Sequence, residues 1–391
     1  MDKDATLEKL KQFNSDFLLK VLSRHYPLSD LLLERYSEIL DWKELSQNTN
    51  LLWSVQLINN YKTKWDWEKL SSNSSLPWST SLLDKFEHYW NWSSLIINES
   101  FSLTFLIITE YIPINSRNHI FWMYLSMNKS LEWNESFIEQ NKNNLHWEYL
   151  SRNESLPWTI NFIEKYKSKW NWNELSQNKA LPWSEELIEK YEAKWDMGWL
   201  VGNEGVQWTE QLIDKYLRKI CWEDFSCNES IPWTEELFKK YDKYLWWEIL
   251  EANENLPWSE NFIDKYYDKW YWYFICTNSA IPWTENMLKK YNDKLNWEWL
   301  SSNKSIPWSE HLIDQHNNDL KWKKFGLSSN PSLPWSLDLL NKYIDKWDYD
   351  LLFKNTKCLE KVFLSLSDKT VNDVLEYVWI DKWDFKMDLF D

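Results

Sequence analysis

Glycine is scarce in this sequence of 391 residues, which contains only Gly198, Gly202, Gly205 and Gly326. Tight turns and left-handed helix ends are the places where glycine is usually needed. Its scarcity therefore favours helices joined by short connections without glycine. The four residues also match neither GxGxxG nor GxxxxGK, the spacings of phosphate-binding loops. The sequence thus gives no sign of a glycine-rich loop that binds the phosphates of a nucleotide.

Long apolar runs and paired cysteines are missing as well. No run approaches the roughly 18 residues of a membrane-spanning helix, and the mean hydropathy is -0.64. The first residues, MDKDATLEKLKQFNSDF, are charged and lack the apolar core of a signal peptide. No two cysteines form a CxxC pair, which favours reduced thiols; they are Cys221, Cys227, Cys276 and Cys358. The sequence predicts a cytoplasmic protein with no membrane segment.

Positive charge is also in short supply. The 44 basic residues are outnumbered by 60 acidic ones, which gives a formal net charge of -16. Proteins that bind the nucleic-acid backbone depend on Lys and Arg, so direct binding to nucleic acid is not expected. An acidic protein can instead imitate nucleic acid and occupy a protein that binds it. That role of an acidic decoy stays open as an alternative.

No residue set has the spacing of a catalytic or metal site. There is no GxSxG nucleophile elbow, and the carboxylates lie mainly at helix starts and on polar faces. The histidines are scattered, and the closest two are five residues apart, off a common helical face; the six are His25, His88, His119, His146, His311 and His316. We therefore predict a protein that is not an enzyme and has no cofactor or metal.

Aromatic residues and a regular period are what the sequence has in abundance. There are 33 Trp, 20 Tyr and 17 Phe, and a pattern related to LPWSEELIEKYEAKWDMGWLVGNEG returns about every 25 residues. Each repeat is named here by its first residue. The repeats begin at residues 26, 51, 76, 101, 131, 156, 181, 206, 231, 256, 281, 306 and 333, with five extra residues in repeat 101 and two in repeat 306.

Position 4 of every repeat is Ser, Thr or Asn, residues that cap helix N-termini. In repeat 181 the cap is Ser184, and apolar residues follow with helical spacing at Leu187, Ile188, Tyr191 and Trp195. The pattern predicts a first helix of roughly eleven residues. A second, shorter helix is predicted from the Asn or Asp at position 16, the Trp at 17 and the apolar residue at 20.

Position 23 is Asn in all thirteen repeats; the residues are Asn48, Asn73, Asn98, Asn128, Asn153, Asn178, Asn203, Asn228, Asn253, Asn278, Asn303, Asn330 and Asn355. Asn tolerates the left-handed conformation that ends helices, and its amide can bond backbone groups in a turn. Glycine never takes its place, which favours use of the side chain, in a buried ladder from repeat to repeat.

Each repeat has little apolar material besides its large aromatic residues, so repeats must stack to bury them. The sequence predicts an all-α solenoid of about thirteen short helix–turn–helix repeats over residues 26–357. Residues 1–25 and 358–391 lack most of the pattern and are predicted to cap the N-terminal and C-terminal ends. The insertion around Pro113 in repeat 101 is interpreted as a surface loop or bend, with a binding loop as the alternative.

The phrase PWSEELIEKYEAKWD followed by an LSxN element resembles a Trp-rich helical repeat of uncharacterised bacterial and viral proteins. The resemblance covers residues 26–357. It implies an α-solenoid, and it brings no activity or binding residues with it.

Extra aromatic residues lie at positions that are polar in most other repeats. They are Trp246, Tyr267, Tyr271, Tyr273 and Trp299. Exposed aromatic clusters are typical of interaction hot spots, although local repacking of the core is an alternative. We expect a non-catalytic scaffold or adaptor that binds another protein at this cluster. The acidic decoy, and a carbohydrate or small-ligand binder using exposed aromatic rings, are the alternatives.

Overall fold

The computed structural model describes residues 3–98, 100, 101 and 119–387, which contain helices and no strand. The first helices of the repeats are Asp30–Arg35, Val55–Asn60, Thr80–Lys85, Glu135–Asn141, Ile160–Lys165, Glu185–Lys190, Glu210–Tyr216, Glu235–Tyr241, Glu260–Lys265, Glu285–Lys290, Glu310–Gln315 and Leu337–Lys342. The second helices are Trp42–Leu45, Trp67–Ser71, Trp92–Ile96, His119–Met127, Trp147–Arg152, Trp172–Gln177, Met197–Gly202, Trp222–Cys227, Trp247–Leu250, Trp272–Thr277, Trp297–Leu300 and Tyr349–Leu352. The predicted all-α repeat fold is confirmed.

Shorter elements complete the chain. Repeat 256 adds the 3-10 turn Tyr267–Lys269, and repeat 306 has the 3-10 turn Leu327–Ser329 where its second helix would lie. The end segments contain Lys3–Leu10, Ser15–His25, Thr356–Cys358, the π-helical turn Leu359–Phe363 and Asp368–Met387. Thr104, the position-4 residue of repeat 101, and the insertion around Pro113 lie outside the described residues.

The chain divides into two compact bodies, residues 1–91 with 283–391 and residues 92–282. In the second body, the second helices of successive repeats pack in series from His119–Met127 to Trp247–Leu250. In the first body, Ser15–His25 packs against Trp42–Leu45 in the same manner. Each helix pair thus buries its apolar side against the next pair, as a repeat array requires.

The first helices begin where the sequence predicts and end earlier. Ser184 caps its helix by accepting the Leu187 N–H at 3.2 Å. The α-helix closes before Tyr191, after which the Lys194 N–H reaches back three residues to the Tyr191 carbonyl at 2.8 Å. The predicted length of eleven residues is therefore wrong, because the last five positions form turns. The apolar spacing persists in these turns, so the pattern alone does not distinguish the two.

The asparagine at position 23 joins each repeat to the one before it. Asn178 Nδ2 donates to the carbonyls of Ser151 at 2.9 Å and Asn153 at 3.4 Å, and Oδ1 accepts the Ala180 N–H at 2.9 Å. Its backbone is extended, with φ -74° and ψ 113°, so the left-handed interpretation is wrong. The amide ladder is confirmed. The same pair of donations is made by Asn73, Asn153, Asn203, Asn253, Asn278, Asn330 and Asn355.

A second ladder, which the sequence analysis missed, uses the serine at position 21. Ser151 Oγ donates to the Trp147 carbonyl at 2.6 Å and accepts the Asn171 N–H of the next repeat at 3.0 Å. The Asn171 N–H lies at the start of its second helix, which would otherwise leave it unpaired. The same two bonds are made by Ser46, Ser71, Ser126, Ser176, Ser226, Ser301 and Ser328.

Tryptophan supplies hydrogen bonds as well as buried area. The indole N–H of Trp183 donates to the Asn178 carbonyl at 3.0 Å, and that of Trp195 donates to the Ile188 carbonyl at 3.1 Å. The edge of one ring also packs on the face of the other between Trp195 and Trp172, with 4.9 Å between ring centroids and 66° between planes. Phenylalanine could fill these places but could not donate, which explains why Trp recurs.

The two ends of the chain pack together inside the first body. The ring of Phe17 contacts Tyr349 and Phe363, with centroid distances of 4.9 and 5.9 Å. The hydroxyl of Tyr26 donates to the Asp368 carboxylate at 2.7 Å. The end segments therefore bury apolar surface against each other.

Candidate partner-binding surface

The candidate surface lies where some repeats lack the side-chain cap at the N-terminus of the second helix. Side chains at position 16 accept a backbone N–H in six described second helices; the residues are Asp41, Asp66, Asn171, Asp196, Asn296 and Asp348. His146 makes no such bond, and neither do Cys221, Trp246 and Tyr271, which hold this position in three consecutive repeats. Loss of a cap costs about 1 kcal/mol. The aromatic substitutions at 246 and 271 therefore forgo a stabilising contact.

The two rings that replace the caps lie in solvent. Trp246 is 50% exposed and Tyr271 is 60% exposed, while Tyr273 is 37% exposed. Local repacking of the core, the alternative explanation, does not account for rings with this much exposure. We call Trp246, Tyr271 and Tyr273 the aromatic patch.

Ring contacts connect part of this patch. The centroids of Tyr271 and Tyr273 are 6.4 Å apart, and both rings lie near Phe274, at 6.3 and 4.8 Å. Tyr267 is partly buried and packs at 5.4 Å from Trp272. Such contacts restrict the rings, so less conformational entropy is lost when a partner binds.

Trp299, the fifth aromatic residue singled out in the sequence, belongs to the other compact body. Trp246, Tyr267, Tyr271 and Tyr273 all lie within residues 92–282, whereas Trp299 lies within residues 283–391. It is partly buried, and the Lys321 ammonium lies 5.5 Å from its ring centroid. The patch is therefore defined without it.

A buried carboxyl lies directly behind the patch. Glu251 occupies the position of the ladder serine, is 0% exposed, and accepts the Tyr271 N–H through Oε1. Its Oε2 is buried and has no hydrogen-bond partner. Burial raises the pKa of Glu251 to about 8, the Tyr271 N–H opposes that rise, and the nearby Glu248 carboxylate adds to it. The sequence signal that could have found it is its place at position 21, where no other repeat has a carboxylate.

The sequence analysis also missed a cleft around Trp199, which is 53% exposed. The cleft has a volume of about 260 Å³, and its lining includes Gln177 and Asp224 as well as Gly198 and Gly202. A Cβ on Gly202 would meet no atom within 4 Å, and one on Gly198 would make only ordinary contacts. Each of these helical glycines lowers helix stability by roughly 1 kcal/mol relative to alanine.

The described ranges offer neither a metal site nor a membrane-spanning helix. No group of three or more His, Cys, Asp and Glu side chains there could hold a metal ion. Equally, no helix in those ranges combines the length and apolar character needed to span a bilayer.

Comparison of the chain with models of known protein families, with curated proteins and with solved structures finds no match. The chemistry of the surface itself is therefore the basis for a functional proposal.

Proposed function

We propose that this protein is a non-catalytic scaffold that binds another protein through the aromatic patch. The observation that carries the proposal is the exchange of helix-capping side chains for exposed rings at Trp246 and Tyr271. Caps stabilise the fold, and exposed rings on a rigid support are the usual centres of protein interfaces. The exchange gives up a contact that stabilises the fold, and it provides rings that a partner can bind.

Position in the array supports the same proposal. Trp246 and Tyr271 lie at equivalent places in successive repeats, and each backbone N–H is held by position 21 of the preceding repeat, Ser226 and Glu251. The backbone that carries both rings is thus held by hydrogen bonds to the preceding repeat. We further propose a cytoplasmic setting, which the four free cysteines support, because reduced thiols persist there.

Capture of partners from the cells that make the protein tests the proposal. The parent protein is compared with the double variant Trp246→Asn/Tyr271→Asp, which restores capping side chains and removes both rings. Tyr89→Ala is the control, since it removes an exposed ring that lies in the other body and outside both candidate sites. We expect a protein that binds the parent and the control and is lost from the double variant.

Two other outcomes would overturn the proposal. A basic nucleic-acid-binding protein that stays on the double variant and leaves at high salt would favour the acidic decoy, since exposed charge contacts are screened by salt. Equal recovery of all proteins by the three forms would show that the patch contacts no partner.

The Trp199 cleft supports a second candidate, the binding of a carbohydrate. The apolar face of a sugar ring can cover an exposed indole, while Gln177 and Asp224 offer hydrogen-bond partners for hydroxyl groups. Screening of glycans with the parent and with Trp199→Ala tests it. A glycan that binds only the parent supports this role, and the lack of any glycan specific to the parent removes it.

A further inference from the structure

A tyrosine at position 11 makes a recurrent contact between neighbouring repeats. The Tyr166 hydroxyl donates to Glu139 at 2.6 Å, and the Tyr241 hydroxyl donates to Asp214 at 2.8 Å. In each case the acidic residue holds position 9 of the preceding repeat. The Tyr166 ring also covers Trp147 at position 17 of that repeat, with 5.0 Å between centroids.

Repeats 281 and 306 change both members of this contact. Position 11 is Tyr or Phe in eleven of the thirteen repeats, and here it is His316. Position 9 of the preceding repeat, acidic in eight of them, is Lys289. The imidazole of His316 stacks on Trp297 with 3.5 Å between centroids and 15° between planes. It occupies the tyrosine's place but cannot extend as far.

A cavity of about 410 Å³ opens beside this stack. Its walls include Leu288, Leu312 and Trp297, and its polar groups include Lys289 and His316. A dry cavity of about 150 Å³ is enough for benzene, and small-molecule sites begin at about 300 Å³. The cavity is therefore large enough for a ligand with one or two aromatic rings.

The charges at the cavity favour an anion with a single charge. Burial lowers the pKa of His316 below its ordinary value, so the imidazole is neutral at pH 7 and the positive charge comes from Lys289. The carboxylate of Glu285 also lines the cavity, and it would repel a dianion such as a phosphate monoester.

We propose that this cavity binds a small aromatic monocarboxylate. The ring of the ligand lies against the Trp297–His316 stack and the two leucines, beside the place that tyrosine takes in most other repeats. Its carboxylate meets Lys289, where those repeats pair a phenol hydroxyl with an acidic side chain. This site lies in the body formed by residues 1–91 and 283–391, and the proposal does not depend on the aromatic patch.

The chain contains a matched comparison for this site. Lys239 also holds position 9, but the next repeat keeps its tyrosine, Tyr266, whose ring lies 5.1 Å from Trp247. A lysine at position 9 is thus present there without the loss of the tyrosine ring. Lys239→Gln changes the same charge as Lys289→Gln at a place with no ligand role in the proposal.

Isothermal titration calorimetry of the full-length protein with benzoate and 2-naphthoate tests the site, with 2-naphthamide as the neutral analogue. We expect saturable binding of the carboxylates, and binding of the amide to be weaker by about tenfold or more, as for loss of a charge-assisted hydrogen bond. Lys289→Gln should lose a similar factor. His316→Tyr should weaken binding because its phenol reaches further into the cavity, toward Lys289, and Lys239→Gln should bind like the parent.

The proposal is overturned if neither carboxylate binds the parent with a Kd below about 1 mM. It is also overturned if His316→Tyr, or Lys289→Gln with an unchanged thermal melt, binds as the parent does. Because Lys289 is exposed, its substitution leaves the fold intact and keeps the test decisive even if His316→Tyr misfolds.

Discussion

Asn178 shows how one buried amide couples two repeats. Three of its hydrogen-bonding groups are used, two donations to the preceding repeat and one acceptance within its own turn. A residue without the amide leaves buried carbonyls without a donor, and each unsatisfied group costs about 1–3 kcal/mol. The whole side chain, and not only its backbone conformation, is therefore required.

Replacement of Asn178 tests this requirement. We expect Asn178→Ala to lower the free energy of unfolding by about 1–3 kcal/mol, and Asn178→Gly to lower it by at least as much, because the backbone here is extended. Chemical denaturation gives the comparison. Asn173→Ala, at an exposed position of the same helix, is the control and should change stability by less than about 0.5 kcal/mol. A glycine variant as stable as the parent would refute the ladder.

Glu251 makes stability depend on pH. Its pKa is about 8 in the folded protein, against an ordinary value of 4.5, so the folded state holds the proton more tightly. The resulting stabilisation is complete below about pH 4.5 and is lost as the pH rises through about 8. Above that range the buried carboxylate is charged, and its Oε2 has no partner.

The parent should lose unfolding free energy on the order of 3 kcal/mol as the pH rises from about 5 to about 9, and we expect Glu251→Gln to remove this fall. Denaturant titrations over this range measure it. Glu248→Gln, an exposed residue on the same helix, serves as the control and should keep most of the slope. Parallel pH profiles for the parent and Glu251→Gln would contradict the assignment.

At the level of the helix, the start of each second helix carries both stability and surface chemistry. Helices of four to six residues gain little from propensity and depend on their caps and packing. In repeats 231 and 256 the capping position is occupied by Trp246 and Tyr271. These two helices should therefore be less stable at their N-termini than those capped by Asp or Asn.

Restoration of the caps measures this effect directly. Trp246→Asn and Tyr271→Asp should each raise the free energy of unfolding by about 0.5–2 kcal/mol. Thermal denaturation followed by circular dichroism reports the change. The reverse substitution Asn171→Tyr, in a repeat with a working cap, should lower stability by a similar amount. Lower stability in both cap-restoring variants would show that the rings serve the fold.

The helix starts were predictable from the sequence, whereas their ends were not. Ser184 marks a start because its side chain bonds the Leu187 N–H, and that chemistry depends only on neighbouring residues. The end before Tyr191 depends on how the turn packs, and the same apolar spacing suits helix and turn. Ser151 was missed for a related reason, since its partner N–H belongs to the next repeat.

For the whole molecule, the period of 25 residues was enough to predict the repeat fold, because each repeat contacts its neighbours in the same way. The packing of Phe17 against Phe363 was not predictable, since it joins distant segments that lack the pattern. The exposure of Trp246 and Tyr271 could only be suspected from their departure from the pattern. The Trp199 cleft was not predictable either, because the spacing of residues in the sequence does not show whether a ring is accessible.

Site-specific photo-crosslinking in the cells that make the protein tests the central claim, contact between the aromatic patch and a partner, most directly. A benzophenone amino acid is placed at Trp246, at Tyr271 or, as a control, at Tyr89, an exposed tyrosine of the other body. We predict that irradiation links the same protein to positions 246 and 271 and leaves position 89 without that product. No product at 246 and 271, or the same products at all three positions, would contradict the account.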